Sequence, residues 1–243
     1  MWRRLQGGGR PAWWLVVIAM ALLLALASGL ALRFGVLHIR VSDVWPLDLA
    51  EPGGWLLDRQ LVDLRRDPVL CRKVLAQPHI VASRVPDRAE AAGCGWSNAY
   101  RIATAGRASL EVGAVACEVA AGLALWLEHV VQPAARRHFG HSVAGIDHLG
   151  AYACRNIRGS PAFANHPSQH ATANALDIQG FRLTDGRRVK VAAHWGGETA
   201  EGRFLAEVHK GACRYFRVAI GPAYNAAHRD HFHVDRGPWR VCR

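Results

Sequence analysis

Hydrophobic and polar positions divide the chain into three unlike stretches. Residues 11–32, "PAWWLVVIAMALLLALASGLAL", form an unbroken apolar run, and about 20 apolar residues suffice for a helix to cross a bilayer. Residues 33–54 carry Pro46, Pro52, Gly53 and Gly54 among few periodic apolar positions, which predicts a tether. From 55 to 243, periodic segments alternate with turns, as one folded domain requires. Leu57, Leu61 and Leu64 are spaced for a helix that breaks at Asp67 and Pro68. Residues 86–102, with Gly93, Cys94, Gly95 and Trp96, read as loop and short strand. "CEVAAGLALWLEHVVQPAARR", residues 117–137, predicts the main core helix, kinked or capped at Pro133.

After Gly140 the period shortens. "VAGIDHLGAYACR" predicts a strand and bend, "NALDIQGFRL" a strand, Asp185 and Gly186 a hairpin turn, and "RVKVAAHW" the return strand. "EGRFLAEVHKGACRYF" reads as a helix closing near Gly211, and "RVAIG" and "HFHVD" as further strands. Helices first and antiparallel hairpins afterwards predict an α+β domain, a small antiparallel sheet with packed helices.

Composition narrows the setting. A 51% hydrophobic content over 243 residues supports an appendage plus one domain with a core, and excludes a disordered chain. Arg3, Arg4 and Arg10 precede the apolar run, and basic flanks stay in the cytoplasm, so residues 1–10 are read as cytoplasmic. Trp13 and Trp14 suit the interfacial belt. The expectation is a single-pass protein of the inner (cytoplasmic) membrane, held through residues 11–32, with its C-terminal domain in the periplasm. Ala25, Leu26 and Ala27 offer a small-x-small cleavage pattern, and cleavage there leaves a secreted periplasmic domain instead. The run exceeds the ~7–15-residue core of a signal peptide, which favours a retained helix.

Six cysteines, Cys71, Cys94, Cys117, Cys154, Cys213 and Cys242, all follow the membrane segment, and an even count in an exported domain predicts up to three disulfides. No two stand at zinc-finger spacing. Nearness in sequence alone suggests Cys71 with Cys94. The formal charge of +11 invites nucleic acid as a partner. An exported domain meets anionic headgroups and wall polymers instead, and no basic run with interleaved aromatics stands out, so none is expected.

Candidate chemistry begins at "DHFHVD", residues 230–235. In a strand His231 and His233 share one face while Phe232 and Val234 take the other. Upstream, "SQHATANALDI" ends a polar loop at His170 and sets Asp177 opposite the apolar Leu176 and Ile178. Asp177 alone reads equally well as a surface residue. With His170 and His233 it makes two imidazoles and a carboxylate, the ligand set of an open zinc site.

The spacing Ser-x-His, six residues, Asp, then His-x-His resembles the zinc peptidases of the D-alanyl-D-alanine carboxypeptidase and murein endopeptidase group, whose fold hedgehog signalling domains share. More closely, "CRNI", "SQHATANALDIQGF", "GACRYFR" and "NAAHRDHFHVD" resemble the bacterial extensin-like C-terminal domain family, over most of residues 45–243. The resemblance implies an α+β zinc fold, with His170, Asp177 and His233 binding one Zn2+ or another divalent ion and His231 beside the metal. In the peptidases a carboxylate often stands three residues before the last ligand, here Asp230, whereas strand parity favours His231 as the base. Both are carried forward as catalytic candidates. Tyr152 and Arg155 stand where the peptidases carry an arginine-bearing element, and a guanidinium fork suits a substrate carboxylate. Ser168 either bonds to the ligand shell or turns the loop. The peptidase pattern usually has Gly where this chain has Ala173, a substitution unwelcome at positive φ. The other histidines, His228 among them, stay unassigned.

The function expected is an envelope-anchored zinc metallopeptidase cutting amide bonds of peptidoglycan stems. The alternative is a non-catalytic, zinc-stabilised module that binds the cell wall. Peptidoglycan or another wall polymer is the partner in either case, with no obligate protein partner.

Overall fold

A computed structural model describes residues 13–33, 41–159 and 161–243. The chain divides into two compact units at the Val44–Trp45 junction. The first holds helix α1 (Trp13–Arg33) and a single turn, α2 (Val41–Val44). Trp13–Leu30 is long and apolar enough to cross a membrane, and a signal sequence near an N-terminus meets the same description. The segment expected to be cytoplasmic, 1–10, lies outside the described residues, as do 34–40 of the expected tether.

The second unit begins inside that expected tether. Leu47 and Leu49 are buried, and the Gln77 amide accepts from Leu49 N (2.7 Å) and donates to Leu47 O (3.0 Å). The stretch from Trp45 therefore belongs to the folded unit. Next come α3 (Leu57–Arg66) and α4 (Pro68–Leu75). Asp67 separates them: its carboxylate accepts from Val69 N and Leu70 N, and Pro68 opens the new helix where no N–H is needed.

The sheet is larger than expected and mixed. Strands β1 (Ile80–Arg84), β4 (Ala99–Ala105) and β5 (Ala108–Ala116) come from the first half, and between β1 and β4 a small hairpin of β2 (Arg88–Ala89) and β3 (Gly95–Trp96) forms a separate two-stranded sheet. A helical rod follows as α5 (Cys117–Trp126), a π turn (Leu127–Val131) and α6 (Gln132–Phe139), closed by Gly140 at φ 71°. Pro133 sits in the first turn of α6, so it starts that segment and breaks nothing. Then come β6 (Val143–Gly150), β7 (Ala175–Leu183), β8 (Arg188–Lys190), α7 (Val191–His194), α8 (Ala200–Ala212), β9 (Val218–Ile220), β10 (Phe232–Asp235) and β11 (Val241–Cys242). The order is β1-β4-β5-β6-β7-β10-β9-β11 with β8 beside β7, nine strands among the described residues. β5–β6 and β9–β11 are parallel, which corrects the wholly antiparallel expectation. The return strand over "RVKVAAHW" is also shorter than expected, because the chain turns into α7 at Val191.

All ten residues of α5 are buried, packed against α3, α4, β4 and β5. Trp126 donates to Val208 O (2.9 Å) and meets Phe181 and Phe216. One charged cluster is built into this frame. Glu118, fully buried, accepts from Arg65 and from Arg236 Nε, and Arg236 also reaches Asp58 at 2.8 Å. Arg217 grips the other side of Asp58. All six cysteines are paired, as Cys71–Cys117, Cys94–Cys154 and Cys213–Cys242. The Cys71–Cys94 pairing is therefore wrong: α4 packs on α5, which brings Cys71 to Cys117 however far apart they stand in sequence.

Candidate functional site

Register makes the site. β7 and β10 pair antiparallel with His233 directly opposite Asp177. Facing residues on neighbouring strands project to the same side. Leu176, Ile178, Phe232 and Val234 therefore take the core side, where all four are buried. His170 arrives from a 3-10 turn (Gln169–Thr172) just before β7. Ser168 caps that turn by accepting from His170 N (3.3 Å), and Ala173 closes it in the left-handed region at φ 54°. The position expected from the sequence pattern to be Gly thus does take a positive φ, and this chain holds it with a Cβ.

Three atoms converge. His170 Nε2 lies 3.1 Å from both Asp177 Oδ1 and His233 Nδ1, and the latter two are 2.8 Å apart. Their remaining nitrogens are committed elsewhere. His170 Nδ1 donates to Ala151 O (3.0 Å), because a carbonyl only accepts, and His233 Nε2 donates to Asp235 Oδ2 (2.9 Å). The first bond leaves His170 Nε2 as a lone pair aimed inward in the neutral ring, the orientation a metal ligand needs. A tetrahedral ion at ~2.0–2.1 Å from its ligands holds them roughly 3.3 Å apart, close to the spacing of these three atoms. By donor type, spacing and outer partners, the set fits a small divalent cation.

Without one, a proton does the same job. His233 Nδ1–H can point at Asp177 and His170 together, while Nε2–H points at Asp235. Burial pulls the His233 pKa down, but the hydrogen bonds and charges of Asp177 and Asp235 outweigh it, and the value is raised to about 9. Asp177 shows the converse. Desolvation pushes its carboxyl up, yet the neighbouring His170 and His233 imidazoles hold it well below the usual carboxylate range.

The structure brings His231 to the same place. Its Nε2 is 3.7 Å from Asp177 Oδ1, and its Nδ1 donates to Asp230 Oδ1 (2.9 Å). Asp230 thus orients the imidazole from outside while the lone pair of Nε2 faces the cluster. Arg155 lies within the field of Asp177; burial lowers its pKa, and the Asp177 charge acts against that shift. Ser168 is buried and serves as a cap. Tyr152 is turned elsewhere: its hydroxyl donates to Glu90 (2.7 Å) and its ring meets Trp96 edge-on at 4.7 Å.

Two members went unread in the sequence. Asp235 shares the parity of His231 and His233, and that period of two could have revealed it. His228 sits in a short 3-10 turn, its ring centroid 5.2 Å from His231 and 5.8 Å from His233. Desolvation, then the neighbouring imidazoles, lower its pKa to about 4. No local pattern announces it.

Comparison with curated proteins and with solved structures finds no match for this chain. The family model described as "Extensin-like protein C-terminus" matches residues 69–243, well over half of the chain, and the chain belongs to that family.

Proposed function

We propose that the chain is a divalent-metal amide hydrolase of the zinc carboxypeptidase and endopeptidase type, acting on peptide stems of peptidoglycan. The observation that carries this reading is the convergence of His170 Nε2, Asp177 Oδ1 and His233 Nδ1, each imidazole backed by its own acceptor. A zinc ion held by these atoms supplies Lewis acidity toward an amide carbonyl. His231 Nε2, at the edge of the triad and steered by Asp230, takes a proton from the attacking water and returns it to the departing amine. Arg155 presents a guanidinium near Asp177, suited to a carboxylate on the substrate. The three disulfides and an N-terminal helix that suits export fit a substrate outside the cytoplasm.

A second reading has one observation in its favour. His170, Asp177 and His233 are only 2%, 7% and 9% exposed, and so covered a set also serves a metal that stabilises a wall-binding module. The two part on one experiment. Metal-loaded protein is incubated with purified sacculi, and the soluble fraction is searched by mass spectrometry for new peptide termini. New termini support hydrolysis; co-sedimentation with the wall and no new termini, with metal content verified, supports the module.

A further inference from the structure

Three tryptophans of the second unit face water. Trp45, Trp55 and Trp239 are 59%, 91% and 61% exposed. Single apolar residues scattered over a surface need no explanation, but these three share one place. Trp55 lies in the turn that leads into α3, and Trp45 O accepts from Gln60 Nε2 (2.8 Å) near the start of that helix. Arg240, next to Trp239, pairs with Asp58 of the same helix. All three therefore sit around the N-terminal end of α3, brought there from opposite ends of the domain sequence.

Arginine surrounds them. Asp58 is met by Arg217, Arg236 and Arg240, three guanidiniums on one carboxylate. Arg59 is exposed beside it, and Arg214 reaches the backbone of Gly53. Two acids stand between Trp45 and Trp55: Asp48 turns its carboxylate back onto Ala50 N (2.8 Å), and Glu51 stays in solvent. Indoles set among arginines suit the boundary between bilayer and water, where the ring rests at headgroup level and the cation meets anionic lipid. The chain brings such a boundary within reach. α1 is long and apolar enough to cross a membrane, and eleven residues separate its last residue, Arg33, from Trp45. Even fully extended, that link allows only about 40 Å. A link so short keeps the patch at high local concentration over the lipid, so weak contacts suffice.

We propose that the face bearing Trp45, Trp55 and Trp239 lies on the lipid headgroups of the membrane that α1 crosses. The contact fixes the orientation of the domain above the lipid. It rests on α1 being retained as a span and is independent of metal and of hydrolysis. The described cysteines are all paired, so an introduced cysteine is the single thiol for labelling. Gly54→Cys and Gly113→Cys suit a bimane label, because neither glycine has a positive φ and a Cβ at either meets open space. Full-length protein carrying one label is reconstituted into phosphatidylcholine–phosphatidylglycerol vesicles, floated, and exposed to nitroxide-bearing lipid. Quenching at position 54 should exceed that at 113 by about twofold or more, and Trp55→Ala combined with Trp239→Ala should bring it down to the level of 113. Equal quenching at the two positions overturns the proposal, as does unchanged quenching in the double variant at parental thermal stability. Protein that fails to float with the vesicles overturns it by showing that α1 is no span. Cross-linking of two copies through position 54 without lipid quenching assigns the face to a second copy and overturns it too. Should the double variant not fold, the difference between 54 and 113 in the parent decides alone.

Discussion

Where a cation and a proton compete for one place, metal affinity must depend on pH, and the structure sets by how much. His233 Nδ1 has to lose its proton before it can bind metal, and its pKa in the metal-free fold is raised to about 9. At pH 7, two units lower, only about 1% of the sites are open, so apparent affinity is about 100-fold below its alkaline limit, or roughly 2.7 kcal/mol. Between pH 6.5 and 8.5 the logarithm of the association constant should climb by about one per pH unit. Zinc affinity is measured by competition with a chromophoric chelator across that range, corrected for the chelator's own protonation. A flat profile would refute the shared-proton account and the triad with it. Metal-free stability follows with the sign reversed. His233 has a folded pKa above its unfolded value of 6.5, so its contribution is complete below pH 6.5 and is lost as pH rises through about 9. Asp177 is depressed from 3.8, so its contribution holds above that value and is lost as pH falls. His228, lowered to about 4, acts the other way, its contribution complete above pH 6.5 and lost as pH falls toward 4, so the apo domain should be most stable near pH 6.5, and metal should help most above it.

Three further outcomes are expected. His233→Ala should lose metal, whereas His231→Ala should keep it and lose ~10²–10⁴-fold in hydrolysis, with Asp230→Ala falling less; His231→Ala working at the parental rate would move the base to Asp230. Ala173→Gly should change stability by no more than about 1 kcal/mol, because ~1–2 kcal/mol of left-handed strain is offset by chain entropy and a lost buried methyl. Ala173→Val, branched at the same φ, should cost about 2 kcal/mol or more in guanidinium melts, and a neutral result would dispute the turn geometry. Glu118→Gln removes one of the two carboxylates on the buried Arg236, leaving Asp58, and should cost about 3 kcal/mol with disulfides intact; a loss under about 1 kcal/mol would show the cluster to be solvated.

The triad was legible because strands encode faces. "NALDI" and "HFHVD" each alternate cleanly, and both strands run with the expected parity, so Asp177 and His233 were assigned to one side before any pairing was known. Which strand lies beside which is set by long-range contacts, and β1 and β5 were not read at all. β5 shows why: Glu111 sits at φ 47°, inside a stretch whose register against β4 shifts, and the irregularity erases the period of two. The Asp58–Arg236–Glu118 cluster joins residues up to 178 positions apart, beyond any local pattern. His228 needed the three-dimensional fold for the same reason.

The disulfide connectivity bears on how the molecule can be made. Cys71–Cys117 and Cys94–Cys154 cross in sequence, each enclosing one cysteine of the other. A chain emerging N-terminus first that oxidised its cysteines in order of appearance would join Cys71 to Cys94 and Cys117 to Cys154, both wrong. Only a chain that folds before it oxidises, or one whose early bonds are reshuffled by thiol–disulfide exchange, reaches the native set. The carbonyl that fixes the His170 ring belongs to Ala151, three residues from Cys154, so mispaired product should be short of metal as well as misfolded. Recombinant yield of metal-competent protein should accordingly rise when a disulfide isomerase is supplied, and an oxidant alone should not raise it.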